Sequence, residues 1–189
     1  MGTLGSIARI KGDAFTLLTE EHRQIKDLFE EFSSAPDVIS KQQIAEQVLG
    51  KLMLHGRVEE EVFYPAVRQS LNNSAEITDL VDEAVGQHYG VQTVIMELQH
   101  MTVNDAGYDT KFRGLAESVK QHIAEEEHDI FPRTAQGPVN WEHVGTQMKI
   151  TKVALQGRED SARNVKFLGR RGEFRRRTPS RPLYERHHK

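Results

Sequence analysis

The sequence predicts an all-α protein: an up-down-up-down four-helix bundle, followed by a short fifth helix and a basic C-terminal tail. Three observations carry this reading. Apolar residues recur at steps of three and four over four long stretches. No run of alternating β-branched residues offers a strand. Short polar breaks separate the stretches, which makes consecutive helices antiparallel neighbours.

The first stretch runs from about Asp13 to Phe32, with Leu18, Ile25, Phe29 and Phe32 on one line and Asp13 as its expected N-cap. The second runs from about Ser40, a second expected N-cap, past Tyr64; its line is Ile44, Val48, Leu52, then Phe63 and Ala66. The third, from about Ala75 to Met101, reads Ile77, Val81, Ala84, Val91, Ile95, Leu98. The fourth, from about Asp109 to Phe131, reads Phe112, Leu115, Val119, Ile130. Pro36, Asn72-Asn73-Ser74 and Asn104-Asp105-Ala106-Gly107 mark the breaks. A shorter fifth helix is expected from about Asn140 to Leu155, packing through Trp141, Val144 and Met148.

Composition bounds the chemistry. A chain of 189 residues with 37% hydrophobic content suits one domain plus an appendage. It has no cysteine, which excludes disulfides, thiolate metal sites and cysteine nucleophiles, so any metal must sit on imidazole and carboxylate. No apolar run approaches the ~20 residues of a membrane span, and the start lacks a secretory pattern; the expectation is a cytoplasmic protein. Charge is uneven. Residues 1–157 hold 14 Lys+Arg against 24 Asp+Glu, residues 158–189 hold 11 against 4, and together they return the net −3. The tail includes Arg170-Arg171 and Arg175-Arg176-Arg177, shows no period and reads as disordered or loosely attached. It either folds back on the acidic body or meets a polyanion, and nucleic acid is expected only through it. The organisation that follows is an N-terminal segment 1–12, the bundle 13–135, the accessory helix 136–157 and the tail 158–189.

The histidines break the pattern. His22, His55, His88 and His122 each occupy the stripe of one helix that should be apolar, and two of those stripes also carry Glu59 and Glu126. Buried imidazoles need partners, and a buried carboxylate is costly unless paired or bound to metal. Successive histidines are 33, 33 and 34 residues apart. In an antiparallel bundle, equal steps around alternate ends place all four near mid-height. Glu59 and Glu126 each lie four residues after a histidine, on the same helix face. Glu60, Glu61, Glu125 and Glu127 turn away at about 100° per residue and read as solvated or supporting groups, with Glu127 the one a slight overwinding could bring inward. The two ligand-bearing helices repeat each other: His55-x3-Glu59-Glu60-x2-Phe63-Tyr64-Pro65 and His122-x3-Glu126-Glu127-x2-Ile130-Phe131-Pro132. An aromatic residue before a proline is expected to close one end of the site.

Four nitrogens and two carboxylates exceed the needs of one tetrahedral zinc, and calcium or magnesium would prefer oxygen alone. Two first-row ions sharing both carboxylates account for every inward group.

The ordered pattern His22, His55-x3-Glu59, His88, His122-x3-Glu126 resembles the hemerythrin-like HHE cation-binding domain over roughly residues 13–135. The resemblance implies two iron ions in an oxo- or hydroxo-bridged di-iron centre. It makes His22, His55, His88 and His122 terminal ligands and Glu59 and Glu126 bridging carboxylates. It also implies an open position for O2, H2O2 or NO. The oxygen-carrying members have a second histidine one turn after the third-helix ligand, where this chain has Gln92, and an aspartate five after the last histidine, where it has Glu127. One imidazole short, the centre is expected to hold more exchangeable water. That favours peroxide-consuming redox activity of a catalase- or peroxidase-like kind over oxygen carriage. The alternative is an oxygen- or iron-sensing or storage module without turnover.

A ferritin-like di-iron oxidase is a rival, since Glu97-x-x-His100 and Glu125-x-x-His128 match its Glu-x-x-His mark. Both fail on direction: His100 and His128 lie about 200° from the inward Leu98 and Glu126, and should face water. His143 is likewise expected to be dispensable. A metal-free helical scaffold is the remaining rival.

Overall fold

The computed structural model describes residues 13–70 and 74–176. The expected N-terminal segment 1–12 and residues 177–189 of the expected tail lie outside them. Among the described residues every regular element is helical. Helix α1 is Ala14–Ser33 and α2 is Val38–Val58; α2 continues through a π turn at Glu59–Phe63 into α3, Tyr64–Ser70. Helix α4 is Ala75–Gln99. Helix α5, Tyr108–Glu125, continues through a second π turn at Glu126–Ile130 into α6, Phe131–Thr134. Helix α7 is Trp141–Arg176. The α2–α3 and α5–α6 rods each count as one long helix, and with α1 and α4 they pack as a four-helix ring.

The ends of these helices follow from short-range chemistry. Asp13 caps α1, accepting from Thr16 N at 2.7 Å. Helix α2 begins earlier than Ser40. Asp37 is its N-cap, in extended conformation, and accepts from both Ser40 N at 2.8 Å and Ser40 Oγ at 2.9 Å. The Ser40 N–H and hydroxyl are thus both given to Asp37, which places Ser40 inside the first turn as the residue capped. Ser74 caps α4. Gly107, at φ 88°, turns the chain into α5 in a conformation that other residues rarely adopt.

The chain divides into two compact units, Met1–Lys152 and Val153–Lys189. The first holds the bundle and the start of α7, where Trp141, Val144 and Met148 are buried as expected. The second continues α7 to Arg176, well past the expected end near Leu155. No proline interrupts the chain between Pro138 and Pro179, so nothing local stops the helix.

The first unit's interior is layered. One layer gathers Phe29, Phe32, Tyr108 and Phe112, with Phe32 and Phe112 stacked at 3.9 Å. Another gathers Phe15, Phe63, Phe131 and Trp141, with Phe15 in contact with all three of the others. Along α1 the buried residues run Phe15, Leu18, His22, Ile25, Phe29, which sets His22 between the two aromatic layers.

Candidate metal centre

His22, His55, His88, His122, Glu59 and Glu126 are all buried. They fall into two groups whose ligating atoms converge: His22, His55, Glu59 and Glu126 in one, and Glu59, His88 and His122 in the other. Glu59 belongs to both. Its Oε1 lies 3.1 Å from His55 Nε2 and 3.8 Å from His22 Nε2, and its Oε2 lies 3.4 Å from His88 Nε2. Glu126 is placed differently. Its Oε2 lies 3.2 Å from His22 Nε2 and 3.7 Å from His122 Nε2, while its Oε1 accepts the Tyr64 hydroxyl at 2.8 Å. His88 Nε2 and His122 Nε2 are 3.1 Å apart.

The π turns make this possible. Each begins at an inward carboxylate, and each is closed by an N–H bonding five residues back: Tyr64 to Glu59 O, and Phe131 to Glu126 O. Pro65 and Pro132 follow directly. Proline has no N–H to give and crowds the carbonyl four residues back, so the helix widens there. The extra residue in the turn brings two consecutive side chains inward: Phe63 and Tyr64 in one rod, Ile130 and Phe131 in the other. A regular helix would turn the second of each pair aside by about 100°. Sequence periodicity therefore found Phe63 and missed Tyr64 as a site residue. The aromatic-proline pair was the signal. Phe131 stacks on the His22 ring at 6.0 Å, covering one side of the cluster.

Each imidazole is held from outside. His22 Nδ1 donates to Glu127 Oε1 at 2.9 Å, His55 Nδ1 to Glu21 Oε2 at 3.0 Å, His88 Nδ1 to Glu60 Oε1 at 2.9 Å and His122 Nδ1 to Gln87 Oε1 at 2.8 Å. With Nδ1–H committed outward, Nε2 points inward, where giving up its proton frees the lone pair a metal ligand needs. Glu127 therefore supports His22 from outside and stands in neither ligand group. Glu60 supports His88 in the same way. Gly56 leaves room for the His88 ring, since a Cβ there would sit tightly against it, 3.3 Å from Nδ1.

The outer partners also repeat. The residue after each inward glutamate (Glu60, Glu127) holds a histidine on another helix, as does the residue before the α1 and α4 histidines (Glu21, Gln87). The repeat is broken at Gln87, which stands where the other half has Glu21, at Ile130, where it has Phe63, and at Phe131, where it has Tyr64.

Electrostatics follow from this crowding. Burial opposes charge on His22, but Glu126, Glu127 and Glu59 outweigh it and raise its pKa well above the ordinary value. His88, penalised by burial, is still raised to about 9 by Glu59 and Glu60. His122 moves the other way: burial lowers it, and the amide of Gln87 brings no compensating charge. Burial would raise Glu59, yet the surrounding imidazoles hold it well below the carboxylate range. Glu21 is held at about 2 against burial by His55 and Lys152.

Metal ligation answers a specific deficit. His22 Nε2, His55 Nε2, both oxygens of Glu59 and Glu126 Oε2 are buried and make no hydrogen bond. Leaving so many polar atoms unmatched is costly. Nitrogen and carboxylate donors without sulfur suit first-row ions. The rival Glu-x-x-His pairs do not contribute. His100 and His128 are exposed and bond to the carbonyls of Met96 and Ala124 on their own helices, and His143 is exposed too.

The family model described as hemerythrin HHE cation binding domain matches residues 13–134. A solved structure of a hemerythrin HHE cation binding domain-containing protein from Mycobacterium kansasii superposes with a TM-score of 0.65 at 24% identity, covering 77% of this chain and 88% of that one. That likeness speaks for the fold. A DNA nickase from Nostoc sp. is 26% identical over 140 residues, which is 73% of this chain but 38% of the nickase.

Proposed function

The chain belongs to the hemerythrin HHE cation-binding family, and on that premise we propose that its buried cluster holds two iron ions and acts on a small oxidant or gas, with peroxide as the leading substrate and O2 and NO as further ligands. The observation that carries this is Glu59, whose two oxygens face two different groups of imidazoles. His22 and His55 would hold one ion, His88 and His122 the other, with Glu126 Oε2 between His22 and His122. Bound there, iron supplies one-electron exchange and Lewis acidity toward an O–O or N–O bond. Disproportionation needs no outside reductant, because one peroxide is oxidised to dioxygen while another is reduced to water.

The rest is done by the chain. Outer hydrogen bonds fix the four imidazoles in one tautomer. The aromatic layers on either side restrict water. Tyr64 keeps a proton on its hydroxyl, since burial and the charges of Glu126 and Glu59 raise its pKa well above the ordinary value. It thereby presents a hydroxyl donor beside the cluster.

The test is metal quantitation and an absorption spectrum on freshly purified full-length protein, followed by peroxide consumption. Two irons per chain and catalytic loss of peroxide are expected. Two irons without turnover would select the sensing or storage reading. No stoichiometric iron would end the proposal.

A second reading concerns the basic segment 158–189, with 11 Lys+Arg against 4 Asp+Glu. Together with the nickase similarity, it supports contact with nucleic acid. Binding of duplex DNA by the full chain, weakened by salt and lost on truncation after Gln156, tests it.

A further inference from the structure

The two ligand groups are unequal. The His22–His55 group gathers two imidazoles and an oxygen from each of two glutamates; the His88–His122 group gathers two imidazoles and Glu59, and Glu126 Oε2 approaches it only at His122, at 3.7 Å against 3.2 Å to His22. Beside the poorer group lies a cavity of about 20 Å³, lined by His55, His88 and His122 and by apolar residues such as Leu52 and Ile95. Among its lining residues only one polar side chain is not an imidazole, and that is Gln92. Val91 and Gln92 are also its only half-buried lining residues; the others are buried. They are the part of its wall that reaches toward solvent.

Size and chemistry narrow what could enter. A water-sized sphere needs about 10–15 Å³, so a space of about 20 Å³ beside the imidazoles suits a ligand of two or three atoms. A polar ligand in a low-dielectric space needs a hydrogen-bonding partner. A carboxamide can give or accept one, so it serves a small anion and a neutral diatomic alike.

We propose that the exchangeable ligand position of this centre lies at the ion held by His88 and His122, and that the Gln92 carboxamide is the hydrogen-bonding partner of whatever small anion or diatomic binds there. This rests on the two-ion reading above and assigns its open side. Gln92 is a positioning residue: it acts on the bound ligand and leaves the ions to their own ligands. The opposite side is less accessible, since Phe131 lies stacked over His22.

The experiment uses full-length protein with its metal content measured, titrated with sodium azide. Affinity is read from the azide-to-metal absorption band and hydrogen bonding from the azide stretching frequency. Gln92→Leu should retain both ions, weaken azide about tenfold, the loss of one hydrogen bond, and shift the stretch. Val91→Phe, which narrows the entrance, should slow or abolish azide binding at unchanged metal content. Should Val91→Phe fail to fold, the half-buried Gln92→Leu decides alone. Azide affinity and stretch both unchanged in a two-ion Gln92→Leu protein would overturn the assignment. Wild-type protein that binds no metal would overturn the two-ion reading and this inference together, a failure visible before any azide is added.

Discussion

The Tyr64 hydroxyl donates to Glu126 Oε1 at 2.8 Å, while the matching position of the second half, Phe131, stacks on His22 with no group to donate. One carboxylate of the cluster is thus tethered, and the other, Glu59, makes no hydrogen bond at either oxygen. The near-twofold repeat of the helices is broken at the point where it touches the chemistry.

Tyr64→Phe removes that tether and leaves a buried oxygen unmatched. The metal-free protein should lose about 1–3 kcal/mol of stability, the cost of an orphaned buried acceptor, measured by urea denaturation. In the iron-loaded protein the absorption spectrum should change, because Glu126 Oε1 becomes available to the ions. An unchanged spectrum would mean that the hydroxyl does not control this carboxylate.

His55→Ala should cost most of the bound iron, since His55 Nε2 lies in the cluster and makes no hydrogen bond. His100→Ala, His128→Ala and His143→Ala should keep it, as all three are exposed. Metal content per chain after dialysis distinguishes them. Loss of iron in any of the last three would misplace the centre.

Outer partners should matter less than ligands but measurably. Glu60→Gln and Glu127→Gln weaken the hold on His88 and His22, and metal affinity should drop about 10–100-fold. Glu61→Gln is the control, because Glu61 is exposed and pairs with Arg57 on the surface. Competition with a chelator reads all three, and equal affinities would assign the outer hydrogen bonds no part in ligation.

The metal-free protein should be most stable in mild acid. His88 is raised from 6.5 to about 9, so its contribution is complete below pH 6.5 and is lost as pH climbs through 9. Glu59 is depressed well below 4.5, so its contribution is present above pH 4.5 and is lost as pH falls further. Thermal midpoints of metal-free protein should therefore decline from pH 6 to pH 9. Iron-loaded protein should resist that decline, because ions require neutral imidazoles. Metal-free midpoints equal at both pH values would show that the imidazole–carboxylate pairing does not form.

Much of this protein is legible along single helices. Period alone places Leu18, His22, Ile25 and Phe29 on one buried face of α1, and the four-residue step joins His55 to Glu59 and His122 to Glu126. Near-equal spacing then predicts the convergence that the two ligand groups display. What tertiary structure alone decided is everything that passes between helices. Glu127 holds a histidine 105 residues away, and Gln87 one 35 away; helical period reports which side chains share a face, never which face lies opposite. The π turns escaped for a related reason. A one-residue widening resets the face of all that follows, so Tyr64 reaches Glu126 only after the chain has been wound. The cap at Asp37 turned on two rival acceptors three residues apart, and the long reach of α7 on the absence of a proline. The unequal sides of the centre, with Gln92 against its cavity, exist only once four helices share one interior.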